Sequence, residues 1–111
     1  METRIQKTLR QWFPDAFVGG GVEDQRSDYE ILRQFAAYTQ ALVETDADTK
    51  KEPFKIIYLL YSKGSLFERN AIENEFLGLL SRQEKAHTIQ QNLQMMPEPL
   101  RPVYLKTILE N

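Results

Sequence analysis

Three carboxylates, Glu68, Glu73 and Glu75, fall within eight residues of the stretch "GSLFERNAIENEFLGLL", Gly64 to Leu80. Around them stand Arg69, Asn70, Asn74 and large apolar side chains. Carboxylates that converge can work as an acid and a base on one bond, or ligate a cation between helices. Whether these converge depends on the backbone that carries them. On a helix advancing about 100° per residue, Leu66, Ile72, Phe76, Leu77, Leu79 and Leu80 share one arc. Glu68 and Glu75 then fall on the opposite, water-facing side with Asn70, Asn74 and Gly78. Glu73 lies within the apolar arc, one turn from Arg69, which lies there too. The three acids are therefore expected to diverge.

The remaining chemistry is sparse. His87 is the sole histidine, and Glu84-x-x-His87 is the one pair of that form. A di-metal carboxylate site in a helical bundle needs two such pairs and further glutamates, so no metal is expected. Ser62, Ser65 and Ser81 sit on no G-x-S-x-G elbow. Gly19, Gly20 and Gly21 lack phosphate-loop spacing and read as a turn or hinge. Cysteine is absent, which removes disulfides and thiol chemistry together. No catalytic residue and no cofactor is expected, and the chain reads as a non-enzyme.

Four residues stand out as candidates for binding: Arg69, Glu73, Tyr58 and Tyr61. Arg69 and Glu73 are four apart, which suits an intrahelical ion pair at the core margin. The alternative makes that arc a contact surface, where arginine and aromatic side chains anchor a partner. Tyr58, Tyr61 and Tyr104 are expected to pack their rings and find partners for their hydroxyls. The alternative there is a ligand pocket.

Helical periodicity dominates the chain. Of four serines, three sit in the pattern S-x-x-E: Ser27 with Glu30, Ser65 with Glu68, and Ser81 with Glu84. This is the capping box, and each is read as a helix start. Helix one spans roughly 2–12 with Ile5, Leu9 and Trp12 on its inner stripe, and Pro14 stops it. Helix two, about 28–45, buries Ile31, Leu32, Phe35, Tyr38, Leu42 and Val43. Pro53 suits the first turn of helix three, which is apolar nearly all round and is expected at the centre, with Gly64 ending it. Helix four starts at Ser65, and helix five spans about 82–94 with Ala86, Ile89, Leu93 and Met96 as its stripe. A short helix over "VYLKTILEN" closes the chain. The fold class is all-α: a single compact domain of five to six helices over residues 1–111, orthogonal or bundle-like.

Net charge is −2, and no basic groove with interleaved aromatics appears, so nucleic acid is not an expected partner. The N-terminus carries no signal-type apolar run and nothing approaches a membrane span, so a cytoplasmic location is expected. Helix three needs cover on every side, either from the chain itself or from a second copy as a homodimer.

The stretch "LLYSKGSLFERNAIENEFL" resembles a group of small bacterial all-helical proteins with an "NAIENEF"-type motif, here Asn70 to Phe76, over roughly residues 28–80. That family has no established activity, so the resemblance implies no residue roles. In size and helical content the chain is also similar to small helical proteins that include toxin-immunity factors. The function expected is therefore a non-catalytic protein-interaction domain. The alternatives are an immunity-type inhibitor using Glu23, Asp24 and Asp28 to mask a basic toxin site, and a small-molecule-binding domain with a pocket of tyrosines and the Gly19–Gly21 loop.

Overall fold

The computed structural model describes residues 3–17, 27–42, 51–83 and 86–110. Among them the architecture is all-α, six helical rods without a strand. They are α1 (Arg4–Trp12), α2 (Asp28–Ala41), α3 (Lys51–Lys63), a long composite rod, α6 (Ala86–Met95) and α7 (Arg101–Glu110). The composite rod runs without interruption through α4 (Leu66–Ala71), a π-helical segment (Ile72–Leu77) and α5 (Gly78–Gln83). Short 3-10 turns lie at Pro14–Phe17 and Glu98–Leu100.

Local chemistry sets the helix starts. Ser27 with Glu30 and Ser65 with Glu68 form complete capping boxes, satisfying backbone N–H groups that have no partner inside the helix. The third candidate behaves differently. Ser81 lies inside α5 and donates its hydroxyl to the Gly78 carbonyl at 2.9 Å. The S-x-x-E spacing fits a helix interior as well as a start, because a serine can also bond back to a carbonyl three residues earlier. Glu84 itself lies outside the described residues. At α1 the cap is Thr3, whose hydroxyl accepts from the Gln6 N–H and donates to Asp28 at 2.6 Å, tying the starts of α1 and α2 together.

The π segment occupies the middle of the fold, packed against α2 and α7. Its Ile72, Phe76 and Leu77 are fully buried. The bond from the Gly78 N–H to the Glu73 carbonyl spans five residues instead of four, the signature of a π turn. The extra residue shifts the phase of everything that follows. Gly78, expected on the water side, is buried against Thr107 of α7.

Helix α3, by contrast, is not the central helix. Phe54, Ile56, Ile57 and Leu60 are buried, yet Leu59 is 45% exposed and Tyr58 and Tyr61 are only partly covered. Trp12, expected on the inner stripe of α1, is 59% exposed while Ile5 and Leu9 are fully buried. Of helix two's expected core, Ile31, Leu32 and Phe35 are fully buried, Tyr38 and Leu42 are half-buried, and Val43 lies outside the described residues. A polar pair completes the interior: Asn92 donates to the Tyr104 hydroxyl at 3.4 Å, both residues fully buried.

Candidate functional site

The three acids of the opening stretch turn to different helices. Glu68 caps Ser65 and receives Arg4 of α1 at 2.8 Å. Glu75 faces Arg33 of α2 at 3.5 Å. Glu73 accepts the Tyr61 hydroxyl of α3 at 2.7 Å through one oxygen and Lys106 of α7 at 3.3 Å through the other. Among the described residues no three His, Asp or Glu side chains gather to hold a metal ion. Glu84 and the His87 side chain lie outside the description.

Partial burial lifts the Glu68 carboxyl, but the Ser65 backbone N–H and the Arg4 guanidinium outweigh it and hold the group below its ordinary value. Burial also raises the Tyr61 hydroxyl, and the Glu73 carboxylate that accepts its proton raises it further. The result is about 12, against a smaller lowering by Arg69. Tyr61 thus keeps its proton at neutral pH and serves as a donor.

Arg69 does not pair with Glu73. It is exposed, lies over the Tyr61 ring with its guanidinium carbon 5.8 Å from the centroid, and donates to the carbonyls of Tyr61 and Ser62. Arg4 donates to the next carbonyl, Lys63, at 2.8 Å. The last carbonyls of a helix have no partner within it, and a cation is favoured at that end. The two arginines therefore cap α3 from two other helices, and Arg69 is drawn away from Glu73 by that stronger need. The structure brings Tyr61, Glu73 and Arg69 together. Tyr58 stays apart, half-buried against the core.

Two predictions follow from this constellation. Glu73→Ala strands the part-buried Tyr61 hydroxyl and removes the nearer carboxylate of Lys106, and should lower stability by about 1–2 kcal/mol. Glu75→Ala removes one long surface pair and should cost less than about 1 kcal/mol. Urea unfolding of the two variants compares them, and equal losses would contradict the geometry. The second concerns pH. Tyr61 has a folded value near 12 against an ordinary 10.0, so its contribution is complete below pH 10 and is lost as pH rises through the folded value. Ultraviolet titration of tyrosinate should show a late component that Tyr61→Phe removes; an unchanged curve would rule out the Glu73 bond.

Among the described residues two concave regions stand out. An open polar cleft of about 300 Å³ is lined by Glu73, Asn74, Glu75, Gly78, Arg82, Thr107 and Glu110. Its carboxylates already hold Tyr61, Lys106 and Arg33. The second is an apolar groove of about 180 Å³ between α1 and α3. One wall is the row Arg4, Thr8 and Trp12; the other is Ile56, Leu59, Leu60 and Lys63. These are helical rows at spacings of three and four. Because Arg4 reaches the Lys63 carbonyl, both cations stand at one end of the groove. The sequence reading missed it by counting Trp12 as core. The signal was the row Arg4, Thr8, Trp12, whose polar members place it beside the Ile5 and Leu9 row.

Of the acids expected to face a toxin, Asp28 alone lies among the described residues. Asp28 is buried and engaged by Thr3, and Glu23 and Asp24 lie outside the described residues, as does the Gly19–Gly21 loop. No helix among the described residues is long and apolar enough to cross a membrane.

Neither curated proteins nor solved structures provide a match to this chain. Residues 6–110 match a family described as a domain of unknown function. That match takes in the π segment, the polar cleft, all of the apolar groove except Arg4, and every described helix apart from the first two residues of α1, and on it the chain belongs to the DUF7674 family.

Proposed function

We propose that the domain is a non-catalytic protein-interaction module that receives its partner in the α1–α3 groove. The observation that carries this reading is the exposure of Trp12 and Leu59 on facing walls of an apolar channel. Buried aromatic anchors contribute much of the energy in protein interfaces, and a groove between two helices suits an amphipathic helix. The titratable groups of the Glu73 constellation support the same view, since each is engaged in holding helices together. The lack of cysteine suits the reducing cytoplasm, where we place the protein.

The test uses a Trp12→Ala, Leu59→Ser double variant. Both side chains are substantially exposed, so folding should be kept, as circular dichroism would verify. Protein retained by immobilised wild type should be lost from the variant, and its purified form should bind the variant at least about tenfold more weakly. Equal retention and equal affinity would overturn the groove as the interaction surface.

A further inference from the structure

We infer that the groove receives a second copy of this chain, through the outer face of α7. The inference rests on the reading of the α1–α3 groove as an interaction surface. Leu105 and Leu109 stand four residues apart on α7, 45% and 87% exposed, with Glu110 beside them. Along a helix that separation is about 6 Å, and the groove from Arg4 to Trp12 runs about 12 Å. Two leucines of a helix ridge therefore fit within its length. Elsewhere the exposed aromatics Tyr29 and Phe67 already pack on each other, ring centroids 5.7 Å apart. The apolar ridge of α7 and the apolar channel beside Trp12 have no such cover within the described chain.

The charges agree with this pairing. Arg4 and Lys63 stand at one end of the groove, and no carboxylate lines it. Glu68 offsets Arg4, which leaves the Lys63 ammonium as the net charge at that end. The α7 ridge brings Glu110, held only by a 3.9 Å contact to Lys106, which is itself drawn to Glu73 at 3.3 Å. In the assembly Glu110 turns to Lys63 of the other copy. Groove and ridge are different surfaces of one chain, so the contact is isologous where two copies exchange it mutually and heterologous where it runs one way. Two copies close the assembly when each lends its α7 to the other; otherwise copies add in a row.

Trp12 is the chain's one tryptophan, so groove occupancy is readable in the purified protein. Sedimentation velocity and tryptophan emission should be followed together from micromolar to millimolar concentration. The expected result is a larger particle and a blue-shifted emission rising in step. Leu109→Glu should remove both, and Trp12→Ala should remove the larger particle. Mixing those two variants restores one intact contact and should return a larger particle. Lys63→Glu should weaken association about tenfold, and adding Glu110→Lys should recover it. A monomer with unshifted emission at every concentration would overturn the inference, as would association indifferent to Leu109→Glu and Trp12→Ala. If the chain stays monomeric while groove-dependent capture of another protein persists, the proposed function stands and this inference alone fails.

Discussion

Phe35→Ala should destabilise the fold by about 3–5 kcal/mol, the range for removing a buried aromatic side chain. Phe35 is fully buried on α2, and its ring meets Phe13 at 4.9 Å, Phe76 at 5.6 Å, Tyr38 at 6.0 Å and Phe17 at 6.3 Å. Phe76 in turn meets Phe54 of α3 edge-on at 6.2 Å. One ring thus joins the end of α1, the 3-10 turn after it, the π segment and, through Phe76, α3. Its neighbours are held by separate backbones and cannot all move inward, so a cavity should remain. Domains of this size have a total stability of about 5–15 kcal/mol, so the variant should lose a large share of it. Urea unfolding with an unchanged slope would measure the loss. Phe67→Ala, on the exposed side of α4, serves as the contrast and should change stability by less than about 1 kcal/mol. A Phe35→Ala loss as small as the Phe67→Ala one would refute the placement of this core.

Gly64→Ala comes next, at about 1–3 kcal/mol of overpacking. A methyl group there would stand 2.7 Å from the Leu60 carbonyl oxygen and 3.1 Å from the Glu68 Cβ. The first is backbone, which cannot swing aside. The second belongs to the residue that both caps α4 and binds Arg4. Relief therefore means opening the α3–α4 junction, with loss of the arginine bonds to the last α3 carbonyls. The glycine is required for this close approach; its backbone is not in the left-handed region usual for a glycine that ends a helix. The midpoint of thermal unfolding should fall by about 4–8 °C per kcal/mol for a domain near this size. A melt indistinguishable from wild type would mean that the junction is looser than these distances say. The Gly64→Ser change should behave alike, since its Cβ meets the same carbonyl.

Much of the framework was legible because its causes are local. Ser27 and Ser65 start helices through bonds completed within four residues, Pro14 stops one by lacking an N–H, and apolar rows on α1 and α2 name Ile5, Leu9, Ile31, Leu32 and Phe35 as core. The divergence of Glu68, Glu73 and Glu75 was legible for the same reason, since helical spacing alone separates them. Ser81 marks the boundary of that legibility: its four-residue pattern has two solutions, and packing chose the interior one.

What the chain determined by itself, then, is where α2 and α4 begin and which acids cannot meet. Only the tertiary structure decided whom each group would meet. Arg69 is four residues from Glu73, but the unsatisfied end of α3 lies within its reach and takes its donors, while Lys106, 33 residues away, takes its place. The π turn at Ile72–Leu77 re-phases α5 and buries Gly78 on α7. Trp12 and Leu59 stay uncovered because no described helix lies across them, an outcome set by six rods settling together and by nothing in the rows of any one. Capping energy is spent within a single turn of chain. Partner choice and exposure depend on what stands opposite, and that is known only when every helix has been placed.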